Sequence, residues 1–182
     1  MTVIDLAQAK VIAQEHLSRM NPRAPDSYCL IDRHTQEHDV GWVFFYSTRR
    51  YVETGDFRDG LAGNGPLLVT RDGAVHPFGT AKSPEVYLAA FRACGNAHWQ
   101  PIAAVEITGW QAGAKVMSAI LAIRHCSTMG LGEAKRFVEQ VLDGVHVTIP
   151  TGDVEQAHAL SRELHSCNFF ARVAYGSRRS VE

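Results

Sequence analysis

The sequence predicts an α+β protein with two domains: a helix-flanked antiparallel sheet, followed by a small two-layer domain of order β-α-α-β-α-β. Three observations lead to this prediction. Apolar residues recur at helical spacing near the N-terminus and before residue 95, and short aromatic and branched runs lie between these two segments. After residue 101, helical and strand patterns alternate.

The first predicted element is an amphipathic helix. Asp5 and Gln8 form a capping-box pattern at its start. Apolar residues then follow at three-and-four spacing: Leu6, Ala9, Ile12, Ala13, Leu17 and Met20. Asn21-Pro22 predicts the end of this helix, because proline neither donates to a helix nor continues it.

An antiparallel meander and a second helix are predicted next. The expected strands are short runs of branched and aromatic residues at 28–32, 42–46, 50–53, 66–70 and 74–78. Asp72-Gly73 joins the last two runs and is a strong hairpin signal. Ser83 as a cap, Pro84 in the first turn and Glu85 after it predict a helix that ends at Gly95.

The second half begins with a predicted strand at 102–107. Two helical faces follow, which carry Val116, Ile120 and Ile123 and then Leu131, Ala134, Phe137, Val138 and Val141. Residues 145–149 alternate as a strand, Asp153 with Gln156 caps a third helix, and 169–175 form a final strand. A polar stretch separates the halves, so we predict domains at 1–95 and 101–176 and a tail at 177–182.

Composition excludes several classes of function. The chain has 18 Lys and Arg against 19 Asp and Glu, so it lacks the basic excess that binding to nucleic acid or an anionic membrane surface requires. The longest aliphatic stretch, 116–123, is far shorter than the roughly 20 residues of a membrane span. The four cysteines are widely spaced, which favours reduced thiols in a cytoplasmic protein. No pattern sets an oligomeric state.

The sequence offers weak candidates for chemistry, and we predict no catalytic residue, metal or cofactor. His34 and His38 have helical metal spacing but lie in a polar segment that leads into a turn. Cys94 and His98 are four residues apart across Gly95, with no orienting group signalled. A glycine cluster invites a phosphate-loop interpretation, yet no Gly-Lys-Ser/Thr follows it and Pro66 removes a backbone donor.

Several short motifs in the first half carry a family resemblance. They are Gly41-Trp42-Val43-Phe44-Phe45-Tyr46, Tyr51-Val52-Glu53-Thr54-Gly55-Asp56, Ala62-Gly63-Asn64-Gly65-Pro66-Leu67-Leu68-Val69, Asp72-Gly73, Gly79-Thr80-Ala81 and Tyr87. Roughly residues 5–93 resemble the YrhB-like family, also called the Immunity protein 35 family. The resemblance implies a small bacterial cytoplasmic protein, commonly encoded beside a polymorphic toxin that it neutralises. One member of the family has instead been described as a chaperone.

The second half resembles the C-terminal domain of the bacterial ribosomal stalk protein over about residues 102–174. The motifs are Ile120, Ile123 and Arg124, followed by Gly130-Leu131-Gly132-Glu133-Ala134-Lys135-Arg136-Phe137-Val138. In that family, exposed lysines on this helix pair contact translation factors. Here Leu121 and Gly132 stand at two such positions, and the stalk's N-terminal segment and hinge are missing. These differences argue against a role on the ribosome.

Together these observations predict an immunity protein that binds a cognate bacterial toxin and blocks it stoichiometrically. Inhibition by occlusion needs a shape-complementary surface with local charge matching and no catalytic geometry. The expected partner-binding residues are three acids of one loop, Glu53, Asp56 and Asp59, and a basic corner of the second half, Arg124, Lys135 and Arg136. The alternative is a holdase-type chaperone.

Overall fold

A computed structural model describes residues 3–24 and 26–177 of the chain. It divides into two compact units, the first ending at His98 and the second beginning at Trp99. Of the tail predicted at 177–182, residues 178–182 lie outside the described part. No helix within the described ranges has both the length and the apolar character needed to cross a membrane.

The first unit contains three helices, six strands and two 3-10 turns among its described residues. In chain order they are α1 (Leu6–Met20), β1 (Tyr28–Leu30), a 3-10 turn (Asp32–His34), β2 (Gln36–His38), β3 (Gly41–Phe44), β4 (Tyr46–Thr48), α2 (Arg49–Thr54), a 3-10 turn (Phe57–Asp59), β5 (Leu67–Thr70), β6 (Val75–Pro77) and α3 (Pro84–Cys94).

The capping box of α1 forms as predicted. The Asp5 carboxylate accepts the backbone N–H of Gln8 at 2.8 Å, and the Gln8 side chain accepts the N–H of Asp5 at 3.0 Å. Ala9, Ala13 and Leu17 on the predicted apolar face are buried. The face therefore packs on the sheet through its middle turns.

An antiparallel sheet of order β2-β3-β5-β6 forms the centre of the first unit. Both of its faces are covered: Trp42 and Phe44 pack with residues of α1, whereas Val43 packs with Leu88 of α3. All four residues of β3 are consequently buried. Burial on both faces explains why its sequence is continuously apolar and does not alternate.

The predicted strand at 42–46 is two strands in the structure. The break falls at Phe45: β3 pairs with β2 and β5, while β4 pairs with β1 in a separate two-stranded sheet. The carbonyl of Phe45 accepts the N–H of Ile31 at 2.8 Å, which fixes the crossing of the chain between the two sheets. The simple meander prediction was therefore wrong at this point.

The prediction of a strand at 50–53 was also wrong, because these residues lie in α2. The Thr48 hydroxyl accepts the N–H of Tyr51 at 3.1 Å and caps the start of the helix. At the other end Gly55 adopts the left-handed conformation with φ 73°, and its N–H bonds to the Tyr51 carbonyl. Caps at both ends stabilise a helix in a segment whose short apolar pattern had favoured a strand.

The second unit has the predicted order β-α-α-β-α-β. Its elements are β7 (Gln100–Trp110), α4 (Val116–Cys126), α5 (Leu131–Leu142), β8 (Val147–Pro150), α6 (Val154–Ser166) and β9 (Phe169–Gly176). The strands form one antiparallel sheet of order β8-β7-β9. Buried residues of this sheet and of all three helices form a single hydrophobic cluster. The α+β class predicted from the sequence is confirmed.

Candidate partner-binding surface

The segment that follows β4 presents the most exposed large apolar side chain among the described residues. Phe57 is 84% exposed and begins the 3-10 turn that separates α2 from the connection to β5. We call residues 55–61 the Phe57 loop. An exposed aromatic ring is the kind of side chain that anchors protein interfaces, so Phe57 is a candidate contact residue.

Several hydrogen bonds hold the Phe57 loop in one conformation. The Asp56 carboxylate accepts the N–H of Arg58 at 3.0 Å and caps the 3-10 turn. The Thr48 hydroxyl donates to the carbonyl of Asp59, and the N–H of Leu61 donates to the Ser47 hydroxyl at 3.0 Å. The loop is thus attached to β4 at two successive residues.

The charged residues beside Phe57 are largely paired with each other. Arg58 makes a two-pronged ion pair with Asp56, with Nη2 at 2.6 Å from Oδ2 and Nε at 3.0 Å from Oδ1. Asp59 pairs with Arg50 of α2, with Nε at 2.9 Å from Oδ2. Of the three acids predicted to bind a partner, Glu53 alone makes no ion pair with a described residue.

The acidic edge expected at 53–59 is therefore not an isolated negative surface. The sequence prediction counted Glu53, Asp56 and Asp59 against Arg58, but α2 brings two further arginines, Arg49 and Arg50, to the same segment. Three basic residues now balance the three acidic ones across residues 49–59. The assignment of the acids as binding residues stays a prediction. They would now contact a partner as part of a charge-balanced segment and not as a negative edge.

The ion pair between Asp56 and Arg58 should be detectable through the pKa of Asp56. The hydrogen bonds from the Arg58 side chain, and then from its backbone N–H, lower the pKa of the Asp56 carboxyl. A carboxyl whose pKa is lowered by folding stabilises the fold above its unfolded pKa, and that contribution is lost as pH falls through the folded value. In Arg58→Gln we expect the Asp56 pKa to rise toward its ordinary value, measured by NMR titration of the side-chain carboxyl carbon.

Asp72 supplies an internal control for this titration. Its pKa is also lowered, chiefly by a hydrogen bond from the Thr70 hydroxyl and then by the N–H of Ala74. Neither donor involves Arg58, so the Asp72 pKa should be the same in Arg58→Gln and in the unsubstituted chain. Equal Asp56 pKa values in the two proteins would show that the pair does not form in solution.

An open groove of about 430 Å³ lies beside Phe57 in the first unit. Its walls expose about as much polar as apolar surface, and the residues are Ile31, His34, Phe45, Tyr46, Ser47, Tyr51, Phe57, Gly60, Leu61, Ala62 and Asn64. The imidazole of His34 stands edge-on to the Phe45 ring at 6.2 Å between centroids. A projecting ring can insert into a partner, and a groove beside it can receive a side chain from that partner.

The histidine and cysteine patterns considered above for metal binding or catalysis form no such site. His34 ends a 3-10 turn and His38 lies in β2, so no helix aligns the two rings. The Cys94 thiol donates to the Ala90 carbonyl at 3.2 Å, and His98 Nε2 donates to the Pro77 carbonyl at 2.8 Å. In residues 3–24 and 26–177, no three His, Cys, Asp or Glu side chains are grouped to hold a metal ion.

The glycines once considered for a phosphate loop lie between α2 and β5. A Cβ on Gly65 would stand 2.1 Å from the Phe78 carbonyl oxygen, so glycine allows the chain to pass close to the end of β6. The Asn64 side chain donates to the Tyr46 carbonyl at 2.8 Å and ties this connection to β4. Gly65 thus allows close backbone packing, whereas Gly55 and Gly63 adopt the left-handed conformation, with φ of 73° and 76°.

The three basic residues predicted in the second unit lie on the contacting helices α4 and α5. Arg124 is exposed in the last turn of α4, where a cation interacts favourably with the helix dipole. Lys135 pairs with Glu139 at 3.6 Å, and the Arg136 guanidinium lies 5.8 Å from the Phe137 ring centre. Each has a different environment within the helix pair.

Sequence reasoning missed Phe57 and Met117, two exposed apolar residues of different units. On α4, Met117 and Leu121 are exposed one turn apart, and this helix contains no acidic residue. Phe57 was overlooked because the evident feature of its segment is charge. The run Asp56-Phe57-Arg58-Asp59 contained the signal, since a single aromatic among charges fits neither strand nor helix periodicity.

The family comparison found a match in the first unit. The model of the family described as Immunity protein 35 matches residues 7–94. A relative named "Uncharacterized protein YrhB", from Escherichia coli (strain K12), is 47% identical over 49 residues, which are 26% of this chain and 52% of that protein. The match therefore spans about half of the relative's length. No solved structure matches the chain.

Proposed function

We propose that this chain is an immunity protein that binds a cognate toxin of a bacterial polymorphic toxin system and neutralises it in the cytoplasm by occlusion. The observation that carries the proposal is the match of residues 7–94 to the Immunity protein 35 family. This range includes the whole Phe57 loop and every wall of the groove beside it.

The chemistry of the first unit supports a binding role. Occlusion requires a preorganised surface with an aromatic or arginine anchor and hydrogen-bonding groups at its edge. The Phe57 loop offers an exposed ring, one arginine and hydrogen bonds that hold its backbone, and Arg50 of α2 pairs with its Asp59. Glu53, Asp56 and Asp59 would then form the polar rim of the contact, and no covalent step is needed.

The second unit is proposed to add contact surface. Its stalk-like helix pair carries the predicted basic residues Arg124, Lys135 and Arg136, together with the exposed apolar residues Met117 and Leu121. Mixed apolar and basic residues on one helix suit an interface with a protein. The resemblance of residues 102–174 to the stalk domain supports only a fold for this unit, and we infer no activity from it.

Co-expression tests the proposed function. Cells that produce the protein encoded by the adjacent open reading frame should stop growing, and production of this chain should restore growth. A tagged form of the chain should retain the adjacent gene product on a column. Growth arrest without rescue, together with the absence of a complex, would refute the proposal.

A holdase-type chaperone is the second candidate, and the exposed side chains of Phe57, Met117 and Leu121 are the observation in its favour. Holdases bind exposed apolar surface of unfolding proteins without selecting one partner. Light scattering separates the two functions, because a holdase suppresses aggregation of several unrelated heated proteins. An inhibitor of one toxin should suppress none of them.

A further inference from the structure

We infer that Phe57 is the central apolar anchor of the toxin interface and that it enters an apolar pocket on the toxin. This inference rests on the proposed function and names the chemistry of the partner: a concave apolar site with a polar rim and little net charge. The inference follows from three properties of the loop: its exposed ring, its fixed conformation and its balanced charge.

The Phe57 ring makes little contact with the rest of the first unit. The ring is 84% exposed, whereas Tyr51 and Phe45, which line the same groove, are half buried. Aromatic residues dominate the energetics of protein interfaces because one rigid ring buries a large apolar area with little loss of side-chain entropy. A ring in this position is suited to insertion into a partner.

The conformation of the loop is fixed before any partner arrives. The Asp56 cap, the bond from Leu61 to Ser47 and the bond from Gly60 to the Phe57 carbonyl, 3.1 Å long, restrain the backbone on both sides of the ring. Restraint in the free protein reduces the entropy lost on binding. The backbone that carries the ring is therefore held in place before binding.

The charged residues around Phe57 indicate the polarity of the partner's binding site. Asp56 is already paired with Arg58, and Asp59 with Arg50, so burying the loop would leave neither of these acids without a counter-charge. A toxin with a strongly basic cleft would gain little from such a neutral surface. The matching site is an apolar pocket for Phe57, and the groove beside Phe57, with its mixed polar and apolar walls, would meet the polar rim of that pocket.

Binding measurements with the adjacent gene product as the probe test this inference. Phe57→Ala should weaken binding by about 30-fold or more, the loss typical of a central anchor. The matched control is Val86→Ala, which removes an apolar side chain that is 47% exposed on α3. This control should change the dissociation constant by less than about 3-fold. Both variants should unfold at the same temperature as the unsubstituted chain, because both side chains lie at the surface.

Salt dependence provides the second readout. An apolar contact with balanced charge should keep its dissociation constant within about 3-fold between about 0.05 and 0.5 M NaCl, whereas an acidic edge on a basic cleft would weaken steeply. Failure of the unsubstituted chain to bind would refute the proposed function itself. Tight binding that Phe57→Ala leaves unchanged, or that salt abolishes, would refute this inference and leave the proposed function standing.

Discussion

Replacing Gly41 by alanine should unfold the first unit and leave the second unit folded. Gly41 begins β3 with φ 153°, and a Cβ at this position would stand 2.1 Å from the carbonyl oxygen of Val69 and 2.7 Å from Cα of Thr70. Both atoms belong to the backbone of the neighbouring strand β5, so no side-chain movement relieves the clash. We expect a loss of more than about 4 kcal/mol in the free energy of unfolding, a large part of the stability of a domain.

Hydrogen exchange resolved by residue measures this effect in each unit. Amides of β3 and β5 should lose protection in Gly41→Ala, while those of β7 and β9 should keep it. The control is Gly132→Ala in α5, where nothing lies within 4 Å of the added Cβ. Alanine in a helix is favoured over glycine by up to about 1 kcal/mol, so this control should not destabilise. Unchanged protection of β3 in Gly41→Ala would contradict the register of β3 and β5.

Phe169→Ala should have the largest effect in the second unit. The Phe169 side chain is 1% exposed at the start of β9 and belongs to the single core cluster of the unit. Truncating a buried phenylalanine removes its transfer free energy and leaves a cavity, which together lower stability by about 3–5 kcal/mol. Chemical denaturation followed by tryptophan fluorescence should show an early transition, since Trp110 pairs with Phe169 across the sheet.

The adjacent residue gives a matched control for this substitution. Phe170 is 48% exposed, and its side chain points to the opposite side of β9. Phe170→Ala should therefore cost less than about 1 kcal/mol. Similar losses of unfolding free energy in the two variants would contradict the assignment of Phe169 to the core-facing side of β9. Phe169→Ala also tests the contribution of the second unit: rescue of growth should weaken less in this variant than in Gly41→Ala.

Elements with complete local signals were predictable from the sequence. The capping box of Asp5 and Gln8 forms as expected, and the Asp153 carboxylate accepts the N–H of Gln156 at 2.7 Å to cap α6. The order of the second unit followed from helical and strand periodicity alone. In these segments, spacing, caps and burial all indicate the same structure.

Other elements depended on contacts between distant residues. β2 escaped prediction because Gln36, Glu37 and His38 form a polar edge strand without apolar alternation. Its position is fixed from outside by Arg71, which donates to the Glu37 carboxylate at 2.9 Å and lies 4.1 Å over the Trp42 ring. The sequence of residues 36–38 alone gives no sign of this interaction with Arg71.

The pairing of charges on the candidate surface could not be predicted from the sequence. The prediction of Glu53, Asp56 and Asp59 in one loop was wrong for Glu53, which lies in α2. The pairing of Asp59 with Arg50 likewise exists because 49–54 are helical. The exposure of Phe57 likewise depends on the 3-10 turn, which the pattern of residues did not indicate. Charge counting along the chain misses such pairs because it ignores how the segment folds.

Titration of toxin activity against this chain tests the central claim most directly. A protein that acts by occupying the toxin surface should reduce the activity of the adjacent gene product in proportion to the amount added, with complete loss near a one-to-one molar ratio. Protection at a small fraction of that ratio would require turnover and would contradict a stoichiometric inhibitor.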